Sequence, residues 1–444
     1  MSTGVWQNWA GDQRCSPARV VRPADAGEVC EALVRAGREG LKVRVAGSGH
    51  SFSDVVLTEG CLLVLDRMKR VLEVDRGGRL VRVEAGITLH ELSAALAAEG
   101  LALPNLGDID AQTLGGALAT GTHGTGAGLP NLSAGVEAMT IARADGSLVA
   151  CSAAGPEADL LRAARVSVGA LGVVVDVTLR CVPAFNLLAA RGTEPLGPLL
   201  DGLEGRALAA EHFEFFVFPH TDVALTRTNR RTERPAQALR NAAHRAEALV
   251  LENALLDASL RLGRRAPGLV PALNRLSTRF AGSSERVDRS DRVFASPRLV
   301  RFTETEYALP RAAGAPALRA LLAGVRERAL MVNFPVEVRF SAADDAWLSP
   351  SYGRESCYVA VHAYTGTPWR EYFALAESIF AEHGGRPHWG KRHSLGATEL
   401  AALYPEWARF QAARARLDPG GLFTTPAIER VLGAARGASR GAEA

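Results

Sequence analysis

Residues 44–54, with the sequence RVAGSGHSFSD, constrain the fold of this chain more than any other segment. A β-branched run predicts a strand that leads into a turn of small residues and ends on His50. Gly47 and Gly49 carry no Cβ, so several backbone N–H groups can converge on one anion such as a pyrophosphate. Phe52 stands where the dinucleotide-binding fingerprint needs its third glycine, so the spacing is not that fingerprint. Taken alone, the segment also fits an ordinary turn around a hydrogen-bonded histidine.

Residues 105–126, NLGDIDAQTLGGALATGTHGTG, form a second segment rich in glycine and threonine, with His123 near its end. This composition makes a poor helix and a poor ordinary strand. It suits a backbone that lies against a flat ligand, with hydroxyl groups available for hydrogen bonds. Because each of the two loops carries one histidine, about 70 residues apart, they together predict a ligand site rather than two unrelated turns.

Polar side chains are predicted on one face of two strands in the second half of the chain. Glu337 and Arg339 are two residues apart in the strand-like run Val336–Phe340, so they share a face and the apolar residues take the other. The same alternation places His362 on one face of the run Cys357–Tyr364. A face that carries Glu, Arg and His borders water or a polar ligand, since a core face is apolar. A solvent-exposed sheet face with an incidental ion pair is the alternative.

A third run, Gly385–His393, has the sequence GRPHWGKRH and contains two histidines and Lys391. His388 and His393 are five residues apart, which fits neither one face of a helix nor a zinc-binding pattern, so no metal site is predicted. A lysine at a redox site can stabilise the negative charge that develops during reduction or on a substrate oxygen.

The three segments carry the motifs of a known family in the right order. The chain resembles the vanillyl-alcohol-oxidase-type FAD flavoproteins, in their aldonolactone oxidoreductase branch. Within that branch it is similar to the actinobacterial L-gulono-1,4-lactone dehydrogenases and D-arabinono-1,4-lactone oxidases. The His-Trp-Gly-Lys run that ends at Lys391 is a distinctive mark of aldonolactone and alditol oxidoreductases. The resemblance extends over nearly the whole chain, from Trp6 to Pro419.

The resemblance implies a role for individual residues. FAD is the expected cofactor, attached covalently through the imidazole of His50 to the flavin 8α-methyl group. The expected substrate contacts are Thr113, Glu337, Arg339, His362 and Lys391, of which Glu337, Arg339 and Lys391 are catalytic. The expected cofactor contacts are Ala46, Gly47, Ser48, Gly49, His50, Ser51, Gly107, Asp110, Thr113, Gly116, Thr120, Gly121, Thr122, His123, Gly124, Gly172, Val173, His388 and Lys391.

The expected fold class is α+β, a two-domain FAD-binding fold of the PCMH type with a substrate domain built on an antiparallel sheet flanked by helices. The expected FAD-binding domain is 1–184, the substrate domain 185–386, and a C-terminal segment, 387–444, returns to the FAD-binding domain. Asp25 and Thr88 are predicted to cap the first two helices.

Two segments of the substrate domain have weaker patterns. The stretch Thr226–Arg292 is rich in Arg and Ala and predicts helices joined by polar loops, and a strand is predicted at Leu299–Thr303. A basic surface for nucleic acid would need aromatic residues for base stacking, and these are nearly absent from Thr226–Arg292. Acidic residues are interspersed among the arginines, which favours a solvated helical face.

Composition narrows the classes of function. A chain of 444 residues exceeds the size of one core, so two domains are expected, and a net charge of +3 does not favour nucleic acid. No run of 18 uncharged apolar residues predicts a transmembrane helix, and the first residues lack a secretory signal pattern, although peripheral membrane association stays open. The six cysteines are scattered without a C-x-x-C pair, which suits reduced thiols and a cytoplasmic location.

We therefore expect FAD-dependent oxidation of L-gulono- or D-arabinono-1,4-lactone by hydride transfer to flavin N5, giving ascorbate or its five-carbon analogue. Arg339 and Lys391 would stabilise the substrate oxygen, and Glu337 would orient a hydroxyl and help remove its proton. An alditol oxidase acting on xylitol or sorbitol is one alternative, and an FAD-carrying electron-transfer or storage protein is another. The electron acceptor is oxygen or a cytochrome or dye, and the resemblance favours a cytochrome or dye.

Overall fold

The computed structural model describes residues 4–237, 241, 253–296 and 299–435. The strands in these residues are Trp6–Gln7, Arg14–Cys15, Arg19–Val21, Val43–Ala46, Cys61–Val64, Val71–Asp75, Leu80–Glu84, Leu101–Ala102, Val136–Ala142, Leu148–Ser152, Val173–Arg180, Val182–Pro183, Asn186–Pro195, His212–Val217, Val223–Thr232, Ser284–Arg289, Phe302–Pro310, Val336–Ser341, Ser356–Tyr364 and Arg386–Pro387. The α-helices are Ala26–Arg38, Leu89–Ala98, Leu114–Ala119, Ala158–Arg165, Leu196–Asp201, Leu203–Leu208, Asn253–Arg265, Val270–Arg279, Ser290–Phe294, Gly314–Glu327, Arg370–Glu382, Ala397–Leu403, Trp407–Leu417 and Pro426–Leu432.

A small parallel sheet near the N-terminus ends at the first glycine loop. Its strands lie in the order Arg19–Val21, Cys61–Val64, Val43–Ala46. Helix Ala26–Arg38 connects two of them and begins after Asp25, whose side chain accepts a hydrogen bond from the backbone N–H of Glu28. The predicted cap is therefore confirmed, and the strand delivers its carboxyl end to the loop that carries His50.

A five-stranded antiparallel sheet packs beside this parallel sheet. Its strands lie in the order Leu148–Ser152, Val136–Ala142, Val173–Arg180, Leu80–Glu84, Val71–Asp75. The turn between the first two strands places Gly146 at a φ of +82°, a conformation that glycine adopts without strain. Helix Leu89–Ala98 begins with a reciprocal capping box between Thr88 and Glu91, which confirms the second predicted cap.

An eight-stranded antiparallel sheet forms most of the remaining structure. Its strands lie in the order Ser284–Arg289, Asn186–Pro195, Val223–Thr232, His212–Val217, Val336–Ser341, Ser356–Tyr364, Phe302–Pro310, Arg386–Pro387. Phe215, Val338 and Val359 are neighbours across three central strands and lie in one buried cluster with residues of helices Gly314–Glu327 and Arg370–Glu382. Because side chains alternate along a strand, the opposite face of the same strands is left to polar residues.

Two predictions about this sheet are wrong in part. Thr226–Arg292 contains helices Asn253–Arg265 and Val270–Arg279 and the start of Ser290–Phe294, but strand Val223–Thr232 lies at its beginning and strand Ser284–Arg289 near its end. Residues 238–240 and 242–252 lie outside the described residues. The strand predicted at Leu299–Thr303 runs instead over Phe302–Pro310. All three strands border the cavity described below, so they carry Thr, Arg, Ser and Glu where a sequence pattern seeks apolar residues.

The C-terminal helices lie against the first sheets. Tyr404, Phe410 and Ile428 belong to a buried cluster that includes helix Ala158–Arg165, and the backbone N–H of Val43 donates to the carbonyl of Leu422 at 2.9 Å. The division into 1–184, 185–386 and 387–444 stays a prediction. Within the described part of the chain, no helix combines the length and apolar character needed to cross a membrane.

Candidate active site

A cavity of about 920 Å³ lies between the glycine loops and the polar face of the eight-stranded sheet. This volume is near the upper end of the range for ligand pockets in proteins. Eleven predicted site residues line it: His50, Ser51, Gly107, Thr120, Thr122, His123, Glu337, Arg339, His362, His388 and Lys391. The structure thus brings together parts of all the segments that carry the sequence motifs.

The first glycine loop is joined directly to the run that contains Lys391. The backbone N–H of Phe52 donates to the carbonyl of Gly390 at 2.7 Å, and Ser53 Oγ donates to the carbonyl of Trp389 at 2.9 Å. The Trp389 ring is fully buried, and its Nε1 donates to the carbonyl of Leu348. These bonds fix the backbone on either side of the cavity, so His50 and Lys391 are held in neighbouring parts of its wall.

His50 lies at the mouth of its loop, and one of its ring nitrogens is buried without a hydrogen-bond partner among the described residues. Its ring stacks on Trp9 with centroids 5.4 Å apart, and among the described residues nothing bonds its Nδ1. Burial, followed by the charge of Lys391, lowers the pKa of His50, so the ring is neutral at physiological pH. A buried polar atom without a partner is uncommon in a native fold, and this one fits a contact or a bond to a bound ligand.

Position 47 requires a glycine, because another segment of the chain lies too close for a side chain. A Cβ at this position would collide with Oγ1 of Thr113, and a Cβ at Gly116 would lie 3.0 Å from the same atom. The two glycine-rich segments therefore press together behind the cavity wall and form one continuous surface. Thr113 lies behind that surface, so its predicted contact with substrate stays a prediction.

The other predicted cofactor contacts outside the cavity wall are Ala46, Ser48, Gly49, Asp110, Gly121, Gly124, Gly172 and Val173. Several of these have packing reasons in the protein itself. A Cβ at Gly124 would collide with Asn105, and a Cβ at Gly172, where φ is +140°, would lie 2.6 Å from the carbonyl oxygen of Ala142. Asp110 pairs with His90 Nδ1 at 2.8 Å. Contact of these residues with a cofactor stays a prediction.

Arg339 is the centre of a buried charge cluster on the sheet. It forms ion pairs with Glu337 on its own strand, with Glu214 at 3.0 Å and with Asp108 at 3.4 Å. Burial lowers the pKa of Arg339, but Glu337, Glu214 and Asp108 outweigh it and raise that pKa well above its usual value. The guanidinium is therefore permanently charged and held in one orientation.

Lys391 is the second cation of the cavity, and two glutamates of strand Phe302–Pro310 hold it. Its Nζ lies 2.6 Å from Glu304 Oε2 and 4.0 Å from Glu306 Oε2. Burial lowers the pKa of Lys391, while Glu304 and Glu306 outweigh it and raise the pKa above its usual value. Its side chain keeps 20% of its exposure, so one side of the ammonium faces the cavity.

His362 lies between the two cation clusters. Its Nδ1 donates to the carbonyl of Pro335 at 3.1 Å, since a carbonyl oxygen can only accept. Its Nε2 lies 3.6 Å from Glu304 Oε1 and 3.9 Å from Glu337 Oε2. The imidazole therefore connects the carboxylate that holds Lys391 with the carboxylate that holds Arg339.

His123, Glu306 and His388 form a buried group whose ligand atoms lie within 4.8 Å of one another. His123 Nδ1 donates to the carbonyl of Gly124, and its Nε2 lies 3.2 Å from Glu306 Oε1. His388 Nδ1 accepts from the backbone N–H of Gly390, so its other nitrogen carries the hydrogen, and burial lowers its pKa to about 3. A metal would find few free lone pairs here and the ammonium of Lys391 nearby, so this donor set fits a hydrogen-bond network better than a metal site.

The sequence interpretation missed four acidic residues of the site: Asp108, Glu214, Glu304 and Glu306. The signal for the last two is the same two-residue spacing that identified Glu337 and Arg339. Glu304 lies opposite His362 in the strand register, and Glu306 lies opposite Ala360. The sequence contains this spacing, but the predicted strand ends at Thr303, one residue before Glu304 and three before Glu306.

Known protein families and relatives match this chain over most of its length. Residues 177–431 match the family described as D-arabinono-1,4-lactone oxidase, and residues 17–152 match an FAD binding domain. L-gulono-1,4-lactone dehydrogenase of Mycobacterium tuberculosis is 44% identical and covers 97% of this chain and 99% of its own length. L-gulonolactone oxidase of Mus musculus is 36% identical over 96% of this chain and 98% of its own, and alditol oxidase of a Streptomyces species is 33% identical over 97% and 100%.

A solved structure shows the same fold at low identity. Cholesterol oxidase from Brevibacterium sterolicum superposes with a TM-score of 0.78 at 18% identity, over 96% of each chain. The matches confirm the expected fold class and FAD as the cofactor, and the partnerless nitrogen of His50 and the closely packed Gly47 suit that cofactor. The chain belongs to the D-arabinono-1,4-lactone oxidase family and is an FAD-dependent oxidoreductase of the aldonolactone oxidase and dehydrogenase type.

Proposed function

We propose that this protein oxidises L-gulono-1,4-lactone or D-arabinono-1,4-lactone, with ascorbate or its five-carbon analogue as product. One observation carries the proposal: a single cavity joins the partnerless nitrogen of His50 to a sheet face where carboxylates pair with the buried Arg339 and the half-buried Lys391. A polyhydroxylated lactone matches such a face, since its hydroxyls can donate to the carboxylates while its oxygens accept from Arg339 and Lys391. The names of the most similar relatives support the same substrates.

The proposed work of the protein is binding, orientation and charge stabilisation, while bound FAD supplies the chemistry by accepting a hydride. Arg339 presents a planar fork of donors that three carboxylates hold still, so it can orient a substrate oxygen with little loss of entropy. Lys391 adds a point charge that stabilises an oxygen as negative charge grows on it. Glu337 orients a substrate hydroxyl by accepting a hydrogen bond from it.

We also propose that the flavin is attached covalently to His50. The ring is neutral, half-buried and stacked on Trp9, and its buried Nδ1 has no partner among the described residues. A neutral nitrogen with a free lone pair is the form of histidine that can act as a nucleophile. The remaining predicted cofactor contacts are part of the same proposal, with Ser51, Gly107, Thr120 and Thr122 in the cavity wall as its best supported members.

Two alternatives differ in what they require of the sheet face. An alditol oxidase would use the same charged residues on an open-chain polyol, and a relative of that name is 33% identical. An electron carrier or FAD storage protein has no use for five carboxylates, four of them buried, that pair with Arg339 and Lys391, so this arrangement argues against that class. For the electron acceptor we propose a cytochrome or dye rather than oxygen, in line with the dehydrogenase name of a 44% identical relative.

A cytoplasmic location completes the proposal. The six cysteines are all free, four of them buried, which suits a reducing compartment. Cell fractionation with an antibody against this protein tests the location, and recovery in the membrane pellet at physiological salt would contradict it.

The test of the function is a panel of sugar lactones and matching alditols, each offered with oxygen or with an artificial dye as acceptor. We expect a lactone to give the highest kcat/KM and the dye to support faster turnover than oxygen. A higher kcat/KM for xylitol or sorbitol would establish the alditol alternative. Failure of every lactone and polyol to bleach the flavin anaerobically would favour the carrier alternative.

A further inference from the structure

Arg339 and Lys391 are not equivalent as proton carriers, and this has a consequence for the proposed reaction, on which the inference rests. Oxidation of a carbinol removes a hydride from carbon and a proton from the hydroxyl oxygen. A guanidinium does not release protons in proteins, whereas an ammonium can give up one proton while it takes another. A proton path from the substrate therefore needs Lys391 rather than Arg339.

The acceptor on the far side of Lys391 is Glu304. Nζ of Lys391 and Oε2 of Glu304 are 2.6 Å apart, a charge-assisted hydrogen bond of the short, strong kind. The other oxygen of Glu304 lies 3.6 Å from Nε2 of His362.

We propose that Glu304 is the proton acceptor of the reaction, reached through Lys391. As the substrate O–H bond breaks, Lys391 binds that proton and releases one of its own to Glu304, so the ammonium is restored and the carboxylate becomes a carboxylic acid. The electron pair of the C–H bond leaves with the hydride to oxidised FAD, so the step needs no further oxidant.

The other carboxylates of the cavity are committed elsewhere. Glu337 forms an ion pair with Arg339, a cation that passes no proton, and that guanidinium also holds Glu214 and Asp108. Glu306 lies 4.0 Å from the Lys391 ammonium, beyond hydrogen-bond distance, and 3.2 Å from His123 Nε2. Only Glu304, among the described carboxylates of the cavity, lies within hydrogen-bond distance of Lys391 Nζ.

The experiment compares Glu304→Gln with Glu306→Gln in the FAD-loaded protein. Both changes remove one buried carboxylate beside Lys391 and keep the size of the side chain, so they match in charge and position. Stopped-flow absorbance follows flavin reduction by the best lactone over a pH series, and saturation curves separate the rate from substrate binding. FAD content and thermal midpoint are recorded for each variant, which identifies any variant that fails to fold.

We expect Glu304→Gln to reduce the limiting rate about a hundredfold with less than about a threefold change in substrate affinity, the range for loss of one general base. Wild-type reduction should slow as pH falls, because the acceptor is then already protonated, and this acidic limb should be absent from Glu304→Gln and present in Glu306→Gln. A second variant, Glu304→Ala, should regain part of its rate when formate is added as an external acceptor.

Three results would overturn the inference: a Glu304→Gln rate within fivefold of wild type, an unchanged acidic limb in that variant, or loss of the acidic limb in Glu306→Gln. Failure of the proposed function would look different. Wild-type flavin would then stay oxidised with every lactone, and the pair of variants would be assayed with the alditol that does reduce it.

Discussion

The two walls of the cavity are built on opposite principles. In the glycine-loop wall, small residues let backbone segments approach each other, as Gly47 does with Thr113, and one side chain, His50, keeps a nitrogen without a partner among the described residues. In the sheet wall, long side chains carry the function and pair with one another, as Arg339 does with Glu337. The loop wall is organised around space for a large ligand, whereas the sheet wall is organised around fixed charge.

This difference determines how each wall responds to substitution. A buried charge that loses its partner is left uncompensated, which costs about 3–5 kcal/mol. Changes in the sheet wall should therefore act on both rate and stability, unless the replacement preserves the shape and the charge balance of the site. A change in the loop wall adds or removes volume and should act first on retention of FAD. Each of the following variants tests one side of that division.

The largest expected effect is that of Lys391→Met, which keeps the aliphatic stem and deletes the ammonium held by Glu304. The rate of flavin reduction should fall on the order of a thousandfold, since both charge stabilisation and a proton path are lost. Bound FAD should stay within a few per cent of wild type. Stopped-flow bleaching of the oxidised flavin measures the rate, and loss of FAD with a normal rate per flavin would place Lys391 in the cofactor-holding wall instead.

Arg339→Lys should follow, with a loss of about a hundredfold in kcat/KM, or about 3 kcal/mol. An ammonium keeps the positive charge but cannot satisfy Glu337, Glu214 and Asp108 at the same time with a planar fork. Steady-state kinetics on the best lactone provide the measurement, with FAD content as the control. Turnover within threefold of wild type would show that the sheet wall needs charge alone and not the geometry of a guanidinium.

Gly47→Ala should affect the loop wall, because its Cβ would collide with Thr113 Oγ1. We expect weaker FAD retention and a loss of about 1–3 kcal/mol in stability, with the rate per bound flavin less affected. Gly37→Ala is the matched control, since a Cβ there meets nothing within 4 Å and helix propensity favours alanine. Adding Thr113→Ala to Gly47→Ala removes the collision and should restore stability; a double variant no better than Gly47→Ala would show that the strain lies elsewhere.

The residues of the two walls were also not equally predictable from the sequence. A period of two fixes which residues share a strand face, so Glu337, Arg339 and His362 were correctly predicted to lie together on one polar surface. Glu304 and Glu306 obey the same rule but lie in a Thr-Glu-Thr-Glu run that lacks the apolar residues by which strands are recognised. Strand alternation finds a polar face only after the strand itself has been identified.

In the loop wall the sequence indicated close backbone approach but not the partner. Gly47 packs against Thr113 and Gly124 packs against Asn105. Tertiary packing determines both partners, so the local sequence does not identify them. The three-carboxylate cluster around Arg339 was not predictable for the same reason, since Asp108 and Glu214 come from a loop and a strand more than 100 residues away.

The smallest expected effect on rate is that of His50→Ala, which removes the partnerless nitrogen but leaves the backbone of the loop, held by the bond from Phe52 to Gly390. Acid-precipitated wild-type protein should stay yellow and show a mass increase equal to FAD, whereas the variant should release all its flavin on denaturation. The rate should fall only several-fold, through a lower flavin potential, because the fixed charges of the sheet wall remain. Wild-type flavin that washes off the denatured chain would refute covalent attachment, and a hundredfold slower His50→Ala would show that the loop wall takes part in catalysis as strongly as the sheet wall does.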